Sequence, residues 1–291
     1  MASIIPRMHL FEIDDQPWFP AFLRKRVQDI LTIVWDTNPF GTTSAADHAA
    51  SVLVNEFGND LSSYTLVDFC AGGGGPTPII EQAVNRYLRE KGLSTVDFVL
   101  TDLHPNHAAW EEVTRGKAHL SYESSSVDAS RVPAHLVRRQ DGKRVLRLFN
   151  LAFHHFDDDL ARRILRDTME KEQGFVIFEL QDRSIATVIS ILLMGVGIFF
   201  TMPLYAWKRR SVTMLVFTYL IPILPFVVVF DGFISALRTR TPHEVELLLR
   251  SCGGGDTDKW EMRSRSDRFL FPCGYLNWIV CRPVTGESKS S

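Results

Sequence analysis

Residues 66–76 read Leu66-Val67-Asp68-Phe69-Cys70-Ala71-Gly72-Gly73-Gly74-Gly75-Pro76. A short apolar run from Tyr64 to Phe69 leads into this stretch. A helical stripe, Ile80, Val84, Tyr87 and Leu88, follows it and is closed by Gly92 as a C-terminal cap. The stretch is therefore a buried strand, a glycine turn and a helix in succession. A turn without side chains lets a ligand approach the backbone closely. The helix N-terminus behind it offers free N–H groups to an anion. The alternative, a glycine turn with no ligand, would carry the entropic cost of four consecutive glycines to no purpose.

Working outward, strands and helices alternate. Val96–Thr101, Val145–Leu151 and Phe175–Leu180 read as further strands. Helices are expected over Asn106–Thr114 and from Asp157 to about Lys171, where Asp157, Asp158 and Asp159 suit the positive end of the helix dipole. Thr241, Pro242 and Glu244 open a last amphipathic helix to about Arg250. Trp260–Ser264 and Tyr275–Val280 read as a closing antiparallel pair. On the N-terminal side, a helix covers roughly Phe19–Trp35, Pro39, Phe40 and Gly41 break it, and Ser44 caps a second helix to Phe57. Alternation of this kind specifies a doubly wound, mostly parallel α/β sheet, whose ligands bind at the carboxyl ends of its strands.

Composition narrows the function classes. The chain has 291 residues, 45% hydrophobic and 23% charged, with 32 Lys plus Arg against 34 Asp plus Glu. Those are globular values, and no basic excess points to nucleic acid as a partner. The four cysteines, Cys70, Cys252, Cys273 and Cys281, show no paired spacing. This fits a reducing compartment rather than a disulfide scaffold. The first residues turn acidic by Asp14 and do not read as a secretory signal. Ser184–Trp207 and Ser211–Phe230 carry no charge and are separated only by Lys208, Arg209 and Arg210. Each run meets the ~20-residue requirement for a membrane-spanning helix.

Four signals carry chemistry. The glycine turn lacks the third glycine of the dinucleotide pattern G-x-G-x-x-G, since Thr77 stands there. It matches the S-adenosylmethionine pattern D-x-G-x-G-x-G at Asp68, Gly72 and Gly74, with Cys70 at the first glycine position. Asp102 ends the next strand, where a carboxylate can accept both hydroxyls of a ribose. Alone it reads equally as a helix cap. Asp128, in Val127-Asp128-Ala129, could receive an adenine amino group, or be a turn residue. His154 and His155 follow a strand in Asn150-Leu151-Ala152-Phe153-His154-His155-Phe156. Either could be a general base on an acceptor hydroxyl or amine, or both could be packing and capping residues. No metal is expected, because an adjacent pair suits one ion poorly and no third ligand is evident.

Taken together, residues 68–76, 100–106, 126–133 and 152–158 resemble a class I S-adenosylmethionine-dependent methyltransferase. One branch of that family in particular shares a segment like Phe11-Glu12-Ile13-Asp14-Asp15-Gln16-Pro17-Trp18-Phe19-Pro20. It also shares late segments like Tyr219–Pro222, Asp231-Gly232 and Ala236–Pro242, so the resemblance spans roughly residues 8–282. It implies a seven-stranded sheet with the last strand antiparallel, and S-adenosyl-L-methionine as cofactor. By matched position it implies cofactor contacts at Asp68, Gly72, Gly74, Asp102 and Asp128, with Leu103 and Ala129 beside two of the carboxylates. It does not supply an acceptor.

The expected organisation is a helical cap over 1–60, a cofactor-binding core over 61–183 and an apolar helical insertion over 184–235. The last helix and closing strands occupy 236–284, and a disordered tail 285–291. Residues 184–230 read as two membrane spans, as a hairpin on the membrane surface, or as a lid of buried helices. Pro203, Pro222 and Pro225 favour the last over straight spans. The expected activity is O- or N-methylation of a small lipophilic acceptor by a membrane-associated protein with a cytoplasmic catalytic domain; the alternative location is soluble cytoplasmic. The competing functions are a non-methylating step in natural-product biosynthesis, and a membrane-bound scaffold with a degenerate cofactor site.

Overall fold

The computed structural model describes residues 5–37, 43–137 and 142–284. The break expected at Pro39, Phe40 and Gly41 and the tail over 285–291 lie outside the described residues. In chain order the elements are α1 (Ala21–Asp36), α2 (Ala45–Phe57), β1 (Tyr64–Phe69), α3 (Thr77–Glu90), β2 (Phe98–Thr101), α4 (His107–Thr114), β3 (Leu120–Tyr122), α5 (Ala134–Val137) and β4 (Arg144–Asn150). They continue with α6 (Asp158–Glu170), β5 (Gly174–Glu179), α7 (Ile185–Lys208), α8 (Val212–Leu215), α9 (Ile223–Arg238), α10 (Pro242–Ser251), β6 (Trp260–Leu270) and β7 (Gly274–Pro283). The caps form as their residues dictate. Ser44 Oγ accepts the Asp47 N–H at 3.1 Å, Asp157 accepts that of Leu160 at 2.7 Å, and Thr241 with Glu244 closes a reciprocal capping box.

One seven-stranded sheet runs in the order β3-β2-β1-β4-β5-β7-β6. The strands β1 to β5 are mutually parallel, and β7 lies antiparallel to both β5 and β6. This is the doubly wound, seven-stranded arrangement expected from the sequence. Every residue of β1, β2 and β5 is buried, as strands covered on both faces must be. One face packs on α2 and α3, through residues such as Leu53, Ile80 and Val84. The other packs on α6 and α10, through Ile164, Leu165 and Leu248.

A third apolar cluster lies apart from the sheet. Leu23, Val27 and Ile30 of α1 meet Ile198 and Met202 of α7 and Leu224, Val227 and Val228 of α9. Thus α2 packs within the cluster on the sheet, while α1 packs with α7 and α9. The helices α7 and α9 approach closely because glycine lies between them. A Cβ at Gly195 would stand 2.5 Å from Val229 Cγ2, and one at Gly232 would stand 3.3 Å from Ile191 Cγ2. The helix α9 runs to Arg238. The second apolar run is not one straight helix: the segment Val212–Leu220 and α9 meet at a bend of 75°. The helix α7 is long and apolar enough to cross a membrane. The C-terminal half of α9 is committed to the protein, with Asp231, Ser235 and Arg238 buried against residues 8–15.

Candidate functional site

The turn after β1 adopts the backbone its pattern demands. Cys70, Gly72 and Gly74 have φ of 61°, 52° and 102°, so three alternate positions lie in the left-handed region. Cys70 therefore occupies a glycine-type conformation, at a cost of roughly 1–2 kcal/mol for a residue with a Cβ. Its thiol is pushed far up by burial and by the nearby Asp102 and Asp68 carboxylates. Two side chains hold the turn. Trp110 Nε1 donates to the Gly72 carbonyl at 2.9 Å, and the Gly72 N–H donates to Asp102 Oδ2 at 3.0 Å. A Cβ on Gly74 would face Val113 Cγ2 at 3.2 Å, so this glycine serves the packing of α4 as well as the turn.

Asp68 lies beneath the turn, 1% exposed. Its Oδ2 accepts from Thr77 Oγ1 at 2.5 Å, and Asn150 Nδ2 donates to the same hydroxyl oxygen at 3.1 Å. The other carboxylate oxygen, Oδ1, and the Asn150 amide oxygen are buried with no hydrogen-bond partner. Burial pushes the Asp68 carboxyl up to about 7; Thr77 pulls it back in part and Asp102 adds to the rise. Two orphaned acceptors below a side-chain-free turn leave polar capacity that a ligand with N–H or O–H donors would satisfy.

Asp102 directly follows β2 and accepts the N–H groups of Gly72 and, at 2.8 Å, His104. The Val127 N–H donates to the Asp102 carbonyl at 2.9 Å, and Ser126 Oγ to the Leu103 carbonyl at 2.7 Å. These bonds dock the loop after β3 onto the loop after β2. Asp128 is exposed there and accepts from Ser130 N and Oγ at 2.8 and 2.7 Å, while Ala129 is buried. Leu103 is half exposed. The structure thus brings Asp68, Gly72, Gly74, Asp102, Leu103, Asp128 and Ala129 to one edge of the sheet, at the carboxyl ends of β1, β2 and β3.

The histidines lie after β4, in the turn that begins at Leu151, and they line a cavity of about 350 Å³. Its walls are largely apolar: Ile30 and Val34 from α1, Ile191, Met194 and Ile198 from α7, and Val228 from α9. Its polar end holds Glu12, Asp14, His154, His155, Asp231 and Ser235. Buried His154 directs Nδ1 to Glu179 Oε2 at 2.9 Å, and its Nε2 lies 3.8 Å from Glu12 Oε1. His155 Nδ1 lies 3.1 Å from Asp15 Oδ2 and 3.4 Å from Glu12 Oε2. Burial works against its charge, but Asp15 and Glu12 outweigh burial and hold the imidazole up at about 9. Burial likewise pushes Asp14 up to about 7 and Asp231 up to about 6.

Residues 8–15 form a strap across this end. Asp231 accepts the N–H groups of Ile13 and Asp14 at 2.7 and 2.9 Å, and the Met8 N–H donates to the Leu237 carbonyl at 3.0 Å. Glu12, Glu179, Asp231 and Arg238 were not anticipated as site residues. For Glu12 the available signal was an acid-rich stretch, Glu12 to Asp15, set among aromatic residues.

No family model and no curated protein matches the chain. Among solved structures it is similar to a SAM-dependent methyltransferase from Anabaena variabilis, at 14% identity and a TM-score of 0.46, over 97% of this chain and 99% of that one. It is similar to human N-acetylserotonin methyltransferase in complex with SAM, at 15% identity and a TM-score of 0.45, over 90% of this chain. The chain spans 57% of the length of that human protein. It is also similar to the methyltransferase CalH in complex with SAH, at 14% identity and a TM-score of 0.44, over 83% of this chain and 58% of that one. The fold itself stands on the strand order, β3-β2-β1-β4-β5-β7-β6.

Proposed function

We propose that this chain is an S-adenosylmethionine-dependent methyltransferase acting on oxygen or nitrogen of a small, lipophilic acceptor. The observation that carries the reading is the turn after β1: left-handed backbone at positions 70, 72 and 74, above a buried carboxylate whose Oδ1 has no partner. Such a cradle suits a cofactor with an ammonium group and ribose hydroxyls. Asp68 and Asn150 would take donors of the former, Asp102 would accept from the latter, and Leu103, Asp128 and Ala129 would flank the adenine. Bound S-adenosylmethionine would supply an electrophilic methyl group on a sulfonium.

The chain's own residues bind and orient the acceptor. The apolar walls from α1, α7 and α9 exclude water and favour a lipophilic body. His154 holds the polar end: with Nδ1 committed to Glu179, Nε2 is the atom left to accept an acceptor proton. Glu179 fixes ring and tautomer, as a carboxylate does behind a catalytic imidazole. Half-buried His155 contributes positive charge rather than basicity.

The same three helices support a membrane-associated location. On the outer face of α7, Ile185, Phe200 and Trp207 are 78%, 80% and 77% exposed, and Lys208 ends the helix with Arg209 and Arg210 after it. Lid and membrane surface are two faces of one element. Its inner side walls the cavity, and its outer side offers apolar area to lipid, with basic residues at the headgroup level.

Incubating the protein with methyl-labelled S-adenosylmethionine and a crude lipid extract tests the activity. Label should pass into the organic phase as a small product, and His154→Ala should abolish the transfer. Label that enters only protein or nucleic acid would contradict a lipophilic small-molecule acceptor.

A further inference from the structure

We propose that Glu12, His154 and His155 form a binding site for one first-row divalent metal ion at the polar end of the cavity. Each of the three offers one ligand atom, and these atoms lie within 4.8 Å of one another. The third ligand that the sequence does not reveal comes from the strap, far from the histidines in the chain. Bonds of about 2.1 Å set ligand atoms roughly 3 Å apart. The side chains thus need to draw in by at most about 2 Å to close on an ion of that bond length.

The surroundings are those of a supported site. His154 directs Nδ1 to Glu179 Oε2 and Nε2 toward Glu12 Oε1, 3.8 Å away. On Glu12, Oε1 is held by Ser235 Oγ at 2.9 Å and by Arg238 Nη1 at 2.9 Å, which fixes the carboxylate and leaves Oε2 toward His155. Outer partners of this kind orient ligands in known metal sites. Two imidazoles and one carboxylate suit manganese, iron, cobalt or zinc better than magnesium or calcium, which prefer oxygen alone. Three protein ligands leave coordination positions toward the cavity. The role of the metal rests on the reading of that cavity as the acceptor pocket: with the ion bound, His154 Nε2 would be a ligand in place of the base, and an acceptor oxygen on the metal would ionise more readily, its proton leaving to water.

Titration of the purified full-length protein with Co²⁺, read by visible absorption and calorimetry, tests the site. One Co²⁺ per chain should bind with a d–d band, and Glu12→Gln and His154→Gln should each weaken binding at least ~10-fold. Glu179→Gln removes no ligand and should still weaken it by about 10–100-fold. Where a variant fails to melt cooperatively, His155→Gln carries the comparison. Absence of saturable Co²⁺ uptake by the wild type, or unchanged affinity in the folded variants, would overturn the proposal. Titration of the same sample with S-adenosylhomocysteine reads the cofactor cleft separately. Cofactor binding without Co²⁺ uptake overturns the metal site alone.

Discussion

Arg238 Nη1 stands 2.9 Å from Glu12 Oε1, and both side chains are almost closed to solvent. The pair ties the N-terminal strap to the end of α9 and sets Glu12 opposite His154. Arg238 also reaches Asp15 at 3.0 Å, so one guanidinium balances two carboxylates. Both carboxyls are held below their usual range: burial opposes this, but His155 and Arg238 outweigh it.

Arg238→Ala should therefore destabilise the protein strongly. Removing one partner of a buried pair leaves an uncompensated charge, at a cost of about 3–5 kcal/mol. Equilibrium denaturation measures this. A loss under about 1 kcal/mol, the value typical of exposed pairs, would show that the strap is not anchored by this ion pair.

Asp68 gives stability a pH dependence of known sign. Its carboxyl is raised from 3.8 to about 7, chiefly by burial, so the folded state holds the proton more tightly than the unfolded chain. The associated stability is present below the unfolded value and is lost as pH rises toward about 7. Asp68→Asn removes that loss. The melting temperature of the variant relative to wild type should climb between those limits and level off above them. A constant difference across the range would mean that Asp68 is ionised throughout.

Much of the frame was legible because its signals are local. Strand, glycine turn and helix over residues 64–90 follow from periodicity, and the caps at Ser44, Asp157 and Thr241 from residue type. Strand β3 was missed because Leu120–Tyr122 is too short to show a period and lies at the sheet edge. The candidate cofactor residues lie at or beyond the carboxyl ends of β1, β2 and β3, so strand order gathers them. The acceptor side was less legible. His154 could be read, but Glu12, Asp231 and Arg238 meet it through contacts between distant parts of the chain that no local pattern encodes. The apolar block read as spans, surface hairpin or lid because hydropathy does not distinguish a wall of the cavity from a surface in lipid; α7 walls the cavity and carries exposed apolar residues on its other side.

Gly74→Val should fail for two reasons. The residue has φ of 102°, and its added Cβ would press on Val113 Cγ2 at 3.2 Å. Left-handed strain and overpacking together should lower stability by about 2–4 kcal/mol. Thermal melts check this. An unchanged melting temperature would show that the turn relaxes, and that any loss of cofactor binding comes from the cleft alone.

The outer face of α7 makes a separate prediction. The protein should sediment with phosphatidylcholine–phosphatidylserine vesicles and stay bound in high salt, since apolar attachment is unscreened. Replacing Leu192, Val196, Phe200 and Trp207 with Ser should release it. Val228 belongs to the cavity wall and is buried, so Val228→Ser should disturb the lid and leave vesicle binding intact. Wild type that remains in the supernatant would reject the membrane contact and leave α7 as a lid only.

Calorimetric titration with S-adenosylhomocysteine tests whether the turn after β1 holds S-adenosylmethionine, and it should show one saturable site per chain. Asp102→Ala should weaken it at least tenfold, since a hydrogen-bonding carboxylate contributes about 2–3 kcal/mol. Absence of saturable binding by the folded wild-type protein, or equal affinity in Asp102→Ala, would contradict it.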